Sequence, residues 1–502
     1  MTALERIYSD SRKAPLRVAF LNEPAQDETL GLAYVAAYIR QEHPELTLAF
    51  FDPSQEPVSA VGDFSPHLVL FSVVSFDVGR YLQCNKRLKK ELSPYIAVFG
   101  GPHPTYFPDM IQQEGVDIIC RGEGELPMNH LLTALKAGND IASIKGLWVK
   151  LDGEVSRNPA ADLIVDLDTL PLPDRELIYK KAPVRAKDPK KHLMGARGCP
   201  FICSYCHNSS AIELHPGGKS WRSRSPAKVV EEAEILIKQY HAGYLTFNED
   251  IFAGVKIPWL QEFSERYSRL GVPYYANIRG EYVTAGLASM LKKSGCSAVG
   301  LAFESGSESY RAKYLFRKLS NEKLIEATRL LRQEGISTVS PVMLGLPFTT
   351  LEDDFNTLDF VCKANPTHSN TLIFQPYPGL PLTRQCVEAG ILEDVSPNVV
   401  EFNNFFKPPD LAGIDYPQVT RLNDSFALLR FLKQTFALEP RRVFRFLPHG
   451  PVTRWLNIFF RYLAFMHVFR FRRTISQRIG EIMTALGSDV YGLNRKKKTP
   501  EW

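Results

Sequence analysis

The residues best suited to chemistry are concentrated in one short run, Gly195-Ala-Arg-Gly-Cys-Pro-Phe-Ile-Cys-Ser-Tyr-Cys-His207. It sets Cys199, Cys203 and Cys206 at C-x3-C-x2-C spacing, so three thiolates share one loop and can hold one metal centre. A four-iron cubane needs four iron ligands. Three cysteines leave one iron open to an exchangeable ligand, as a vacant metal position does in other catalytic sites. The competing readings are a zinc ion with His207 as fourth ligand, or three unrelated thiols. Cys206 and His207 are adjacent, and neighbours have difficulty facing one tetrahedral ion together. The other five cysteines, Cys84, Cys120, Cys296, Cys362 and Cys386, stand singly in apolar or helical stretches, where a buried structural thiol is the default.

Holding such a loop takes a framework, and the apolar pattern supplies two. Short apolar runs at 16–21, 46–51, 68–73, 96–99 and 116–120 alternate with helical patterns such as 31–41 and 79–92, which predicts a doubly wound α/β domain over 14–150. Residues 151–190, punctuated by Pro159, Pro171, Pro173, Pro183 and Pro189, read as a linker. A second alternation follows, with strands near 193–196, 244–248, 274–278, 298–304, 337–344 and 371–375, and predicts a partial (β/α)6 TIM-like barrel over 191–400. The cysteine run follows its first strand, where the loops of such a barrel carry chemistry. Residues 401–502 read as a helical region rich in Phe and Arg. In the first domain Leu30 and Gly31 open a helix, and Gly100 and Gly101 close the fourth strand. A backbone without side chains there could come close to a flat ligand. Ser72, Ser75, Gly122 and Glu123 add small polar groups to the same edge. His103 reads first as a turn residue satisfied by backbone. A nucleotide, or no ligand at all, would also suit this edge.

At 502 residues, 44% hydrophobic and 23% charged, the chain has the balance of two or three folded domains, and disorder is excluded for most of its length. Eight cysteines are too dilute for a disulfide scaffold and residues 1–15 lack the apolar run of a signal peptide, so a reducing, cytoplasmic setting is expected. The stretch 455–471 is interrupted by Arg461, His467 and Arg470 and should not span a membrane. Residues 421–502 carry 16 Lys and Arg against 5 Asp and Glu, a local +11, and the rest of the chain is at −6. The body therefore gives no reason to expect nucleic acid. The basic, aromatic tail reads mainly as a packing region and secondarily as a face for an anionic bilayer.

The cysteine run and its setting resemble the radical S-adenosylmethionine (radical SAM) family, and residues 15–140 resemble the cobalamin-binding domain fused to many of its members. The resemblance implies a 4Fe-4S cluster on Cys199, Cys203 and Cys206, with SAM on the open iron. It places the adenine beside the Tyr205 backbone and Gly345 of Met343-Leu-Gly-Leu-Pro347, the SAM ammonium near Glu249 and Asp250, the carboxylate near Arg279, and Glu304 by the ribose and methionine moiety. It implies cobalamin on the edge formed by Leu30, Gly31, Ser72, Ser75, Gly100, Gly101, His103, Gly122 and Glu123. The Asp-x-His-x-x-Gly motif of other cobalamin proteins is absent, so the lower face of cobalt is not expected to carry a histidine. The activity implied is methyl transfer to an unactivated carbon through a 5'-deoxyadenosyl radical and methylcobalamin. A radical cyclisation without methyl transfer and a non-catalytic cobalamin or SAM sensor remain alternatives. A methylthiotransferase would need three auxiliary cysteines where residues 1–150 hold only Cys84 and Cys120. The expected partners are a small-molecule or lipid-like substrate and a one-electron donor such as flavodoxin or ferredoxin. Tyr377 could line the substrate cavity.

Overall fold

A computed structural model describes residues 2–11, 13–23, 28–56, 58–216, 221–393, 409 and 411–468. The first sheet has seven strands: β1 (Arg17–Leu21), β2 (Thr47–Phe51), β3 (Leu68–Ser72), β4 (Ile96–Gly100), β5 (Ile118–Cys120), β6 (Leu147–Leu151) and β7 (Glu154–Arg157). Their order is β2-β1-β3-β4-β5-β6-β7, the first five parallel and the last two antiparallel. Apolar side chains on both faces build it. Val18 and Phe20 of β1, Leu68 and Leu70 of β3, and Ile96 and Val98 of β4 enter one core, while Ala19, Leu21, Val69, Phe71, Ala97 and Phe99 enter another. The sheet runs on through Arg157, beyond residue 150 where the alternating pattern ends, because a hairpin of mixed polarity caps its edge. The stretch read as a linker thus begins inside the first sheet.

The strand order reverses between β1 and β3, and open α/β sheets bind ligands at such a switch point.

The second sheet has six parallel strands in successive order: β8 (Lys190–Leu193), β11 (Tyr244–Phe247), β12 (Tyr274–Ile278), β13 (Cys296–Leu301), β14 (Ser337–Leu344) and β15 (His368–Ile373). Sequential parallel pairing with intervening helices gives a barrel-like core. Between β8 and β11 a small antiparallel pair, β9 (Ala196–Arg197) and β10 (Arg222–Ser223), holds the two ends of the cysteine loop. The helices Tyr416–Asn423, Phe426–Phe436 and Pro440–Phe446 bury Val419, Leu422, Phe426, Leu429 and Phe444 in the same core as the barrel strands, so this part of the C-terminal region packs as barrel structure. The helix Pro451–Val468 lies against β14 and β15. No helix among the described residues is long and apolar enough to cross a membrane.

Candidate functional site

The cysteine loop leaves β9, passes Cys199, Cys203 and Cys206, and ends in the helix His207–Leu214. Cys203 is buried; Cys199 and Cys206 are half-buried. Burial pushes the Cys199 thiol up to about 11 and raises Cys206, and the charges of Cys206 and Cys203 on Cys199 add to it. The three sulfurs therefore lie within electrostatic reach of one another, with Asp250 beside them. Arg279 donates to the Cys203 sulfur at 3.6 Å and Asn208 to the Cys206 sulfur at 3.5 Å. Donors of this kind stabilise thiolates and tune a cluster held by them. Among the described residues no three His, Cys, Asp or Glu side chains converge as the ligands of a single ion. Three thiols on one loop, two of them accepting hydrogen bonds from side chains, are a donor set that suits a cluster with its thiolates on separate irons. The His207 ring is engaged elsewhere: it stacks on Tyr106 at 4.6 Å and meets Tyr377 edge-on at 4.8 Å.

Carboxylates stand at the end of β11 as the sequence suggests. Glu249 is buried; its Oε2 accepts the Gly195 N–H at 3.2 Å, its Oε1 has no partner, and burial pushes the carboxyl up to about 8. A Cβ at Gly195 would lie 3.2 Å from that Oε1, so any larger residue there would push the Glu249 carboxyl aside by a few tenths of an ångström. Asp250 is accessible yet recessed, and burial raises its carboxyl against the opposing hydrogen bond from Asn208. An unpartnered buried carboxylate oxygen beside the cysteine loop fits an ammonium group.

Other expected SAM contacts are already occupied. Glu304, in a left-handed conformation at φ 64°, accepts from Tyr205 Oη at 2.7 Å and from Arg317 at 2.9 Å. Arg279 pairs with Glu281 and stacks 3.7 Å over the Phe201 ring, so its charge is already balanced where a free cation was expected for the SAM carboxylate. Gly345 donates its N–H to Asp354 at 3.1 Å, and a Cβ there would meet Val419 at 3.1 Å, so its Cα faces the helix Tyr416–Asn423 rather than an open site. These three residues shape the site from behind; the sequence marks their positions but not their neighbours.

In the first domain Gly31, Ser72, Gly100, Gly101, Gly122 and Glu123 all line one cavity of about 260 Å³ over the carboxyl ends of β3, β4 and β5. Its floor is apolar, with Leu70, Val98 and Cys120, and a Cβ on Gly31 would meet nothing within 4 Å. Gly101 is the constrained position: φ is 95°, and a Cβ would come within 2.8 Å of the Val73 backbone. At this volume the cavity takes part of a large ligand, the remainder lying over the strand ends. The edge fits a corrinoid. Leu30 is buried beside the cavity without lining it, and Ser75 and His103 hydrogen-bond one another at 3.1 Å outside its wall. Burial holds His103 down to about 4. A larger recess of about 740 Å³ beside the edge strand β2 contains none of the expected residues and opens among exposed Arg40, Lys180 and Lys181.

The cavity wall is completed by the second domain, through Met194 and Arg197. Arg197 and Arg222 face one another across β9 and β10, and both turn to the loop after β5: Arg197 pairs with Glu125 at 2.6 Å and Glu123 at 3.4 Å, and Arg222 with Glu123 at 2.6 Å. Burial works to raise the Glu123 carboxyl, but Arg222 and Arg197 outweigh it and hold it below its ordinary value. Glu123 is therefore a clamp residue that also lines the cavity, rather than a free polar group for the ligand. Tyr106 follows the same logic from the other side. It ends the helix Pro102–Tyr106 after β4, yet its ring lies on His207 and feels the charges of Cys206 and Asp250. Arg197, Arg222, Arg317, Asn208 and Tyr106 carry no motif, and only their partners reveal them.

A seven-stranded sheet with a cavity over the ends of its parallel strands, clamped to a barrel-like sheet whose first loop carries three thiols, defines a two-domain α/β protein. The comparisons agree. The B12 binding domain model matches residues 20–132 and the Radical SAM superfamily model residues 194–361. The chain belongs to the family in which these two domains are fused. It is 28% identical over 380 residues to an uncharacterized methyltransferase of Pyrococcus horikoshii, covering 72% of this chain and 79% of that protein. It is 30% identical over 311 residues to an anaerobic magnesium-protoporphyrin IX monomethyl ester cyclase of Rubrivivax gelatinosus, covering 58% of this chain and 53% of that protein, so the match spans about half of the cyclase. The fold resembles the structure of the cobalamin-dependent S-adenosylmethionine radical enzyme OxsB with aqua-cobalamin bound (TM-score 0.67, 15% identity, 96% of this chain and 76% of that one). The domain matches support cobalamin and SAM as ligands.

Proposed function

We propose that this chain is a cobalamin-dependent radical SAM methyltransferase acting on an unactivated carbon, with a 4Fe-4S cluster on Cys199, Cys203 and Cys206. The observation that carries the reading is the contact of Tyr106 with His207. It brings the ligand edge of the first domain to the cysteine loop of the second, so that both cofactors would open on one space. When bound, the cluster supplies the electron that splits SAM, and cobalamin supplies a methyl group. The chain's own residues bind, orient and exclude. Glu249 and Asp250 offer carboxylates to the SAM ammonium, Arg279 and Asn208 hold the sulfurs, and the Gly31, Gly100 and Gly101 edge receives the flat ring. The rings of Tyr106, Phe107, His207 and Tyr377 keep water out of the space between. A one-electron donor such as flavodoxin or ferredoxin is the expected partner.

The similarity to magnesium-protoporphyrin cyclases favours a second reading, ring formation with the same two cofactors. One experiment separates them. Anaerobically reconstituted protein is supplied with methyl-labelled SAM, reductant and candidate substrates, and 5'-deoxyadenosine and label are followed. Label in the product together with 5'-deoxyadenosine is the expected outcome; 5'-deoxyadenosine with an unlabelled, ring-closed product would replace methyl transfer by cyclisation. No 5'-deoxyadenosine from loaded protein would overturn both.

A further inference from the structure

The helix Pro451–Val468 partitions its side chains the wrong way for water. Val452, Trp455 and Phe459, spaced three and four apart on one face, are exposed, Trp455 to 49%. Among its described side chains the two fully buried ones are polar, and beside them Phe460 stacks on Phe431 at 4.3 Å. Asn457, only 3% exposed, accepts the Ala427 N–H at 2.8 Å and donates to Asn423 O at 3.3 Å, and Thr453 donates to Pro448 O at 2.6 Å. The helix is thus held inward by the Asn457 hydrogen bonds, the Arg454–Asp424 pair and the Phe460–Phe431 stack, while Val452, Trp455 and Phe459 stay turned outward. The preceding helix Pro440–Phe446 packs Phe444 on Phe355 and adds a second outward ring, Phe446, which is 88% exposed. Phe436 and Leu438 extend the same class of surface. Scattered apolar residues on a protein surface need no explanation, but a stripe of Val452, Trp455 and Phe459 turned outward along one helix does.

Charge identifies the occupant. Residues 440–468 contain five Arg and no Asp or Glu. Arg441 and Arg454 are held by Glu352, Asp359 and Asp424, but Arg442 and Arg445 are exposed beside Phe446 and make no ion pair among the described residues. Residues 469–502 add 8 Lys and Arg against 3 Asp and Glu. A second copy of this chain would bring the same positive charge to the face and be repelled. An anionic bilayer would accept both the rings, at headgroup depth, and the guanidinium groups. We propose that the surface formed by Phe446, Val452, Trp455 and Phe459 with Arg442 and Arg445 docks the protein on an anionic lipid surface as a peripheral contact. This holds whatever the reaction proves to be.

Flotation of the full chain with vesicles tests it. Partitioning is expected to be about tenfold stronger on 3:1 phosphatidylcholine–phosphatidylglycerol than on pure phosphatidylcholine, and to weaken as salt rises. The double variant Trp455→Glu/Phe459→Glu should lose about tenfold in binding to the anionic vesicles while 5'-deoxyadenosine formation without vesicles stays unchanged. Trp455→Phe keeps the face apolar; it should float as the parent does, yet lose most of the fluorescence quenching that brominated lipid produces. Failure of the full chain to float, equal flotation of the double variant, or a concentration-dependent dimer that this variant abolishes would each overturn the proposal.

Discussion

At the scale of single residues, the candidate site contains a carboxyl that is costly to its own fold. Glu249 is buried with one oxygen unpartnered, and burial pushes it up to about 8, well above the ordinary glutamate value of 4.5. A carboxyl whose folded value is raised contributes stability that is complete below pH 4.5 and is lost as pH climbs through 8. Glu249→Gln removes the charge and keeps a neutral acceptor for the Gly195 N–H. The cofactor-free variant should therefore match the parent in urea unfolding at pH 5 and exceed it at pH 8.5, by on the order of 4 kcal/mol. Equal pH dependence in the two proteins would mean that Glu249 is already paired. Such a residue is legible in sequence as an acid at a strand end. That its Oε1 has no partner is legible only in space.

At the scale of elements, the short pair β9 and β10 matters more than its four residues suggest. It closes the base of the cysteine loop and presents Arg197 and Arg222 together to Glu123 and Glu125. Removing one partner of a buried pair costs up to about 3 kcal/mol, and without Arg222 Glu123 would keep only its 3.4 Å contact with Arg197. Arg222→Met should lower unfolding stability by that order and, because Glu123 also lines the cavity, weaken hydroxocobalamin binding measured by equilibrium dialysis. Unchanged cobalamin affinity would separate the clamp from the cavity. The strands and helices themselves follow closely from alternating apolar runs; the clamp does not, since Arg222 lies 99 residues from Glu123 and no periodicity links them. The sheet's extension to Arg157 escapes the pattern for a related reason: Glu154, Ser156 and Arg157 form an edge strand whose polar residues resemble a loop.

At the scale of the whole molecule, a second ionic junction lies deeper. Arg175 pairs with Glu28 at 3.1 Å and with the buried Glu232 at 2.7 Å, and donates to His192 O of β8 at 2.6 Å, joining the first domain, the connecting segment and the barrel-like core. Burial opposes ionisation of Glu232, yet Arg175 and Arg224 hold its carboxyl below the ordinary range. With Arg175→Met, calorimetry should show two transitions where the parent shows one, the first lower by about 5 °C or more. A single unshifted transition would mean that apolar packing alone couples the domains.

The amino-acid sequence by itself determined the cysteine loop, the two βα alternations and the glycine-rich edge, because each is written in residues a few positions apart, where spacing reports geometry directly. Tertiary structure alone decided that Arg279, Glu304 and Gly345 were already engaged, that Glu123 belongs to a clamp, that Tyr106 reaches His207 and that Trp455 faces outward. Those outcomes depend on which of several possible partners a charge or ring meets in space: Glu304 meets Tyr205 and Glu123 meets Arg222 each 99 residues away, and even Arg279, with Glu281 two positions on, could as well have faced the ligand.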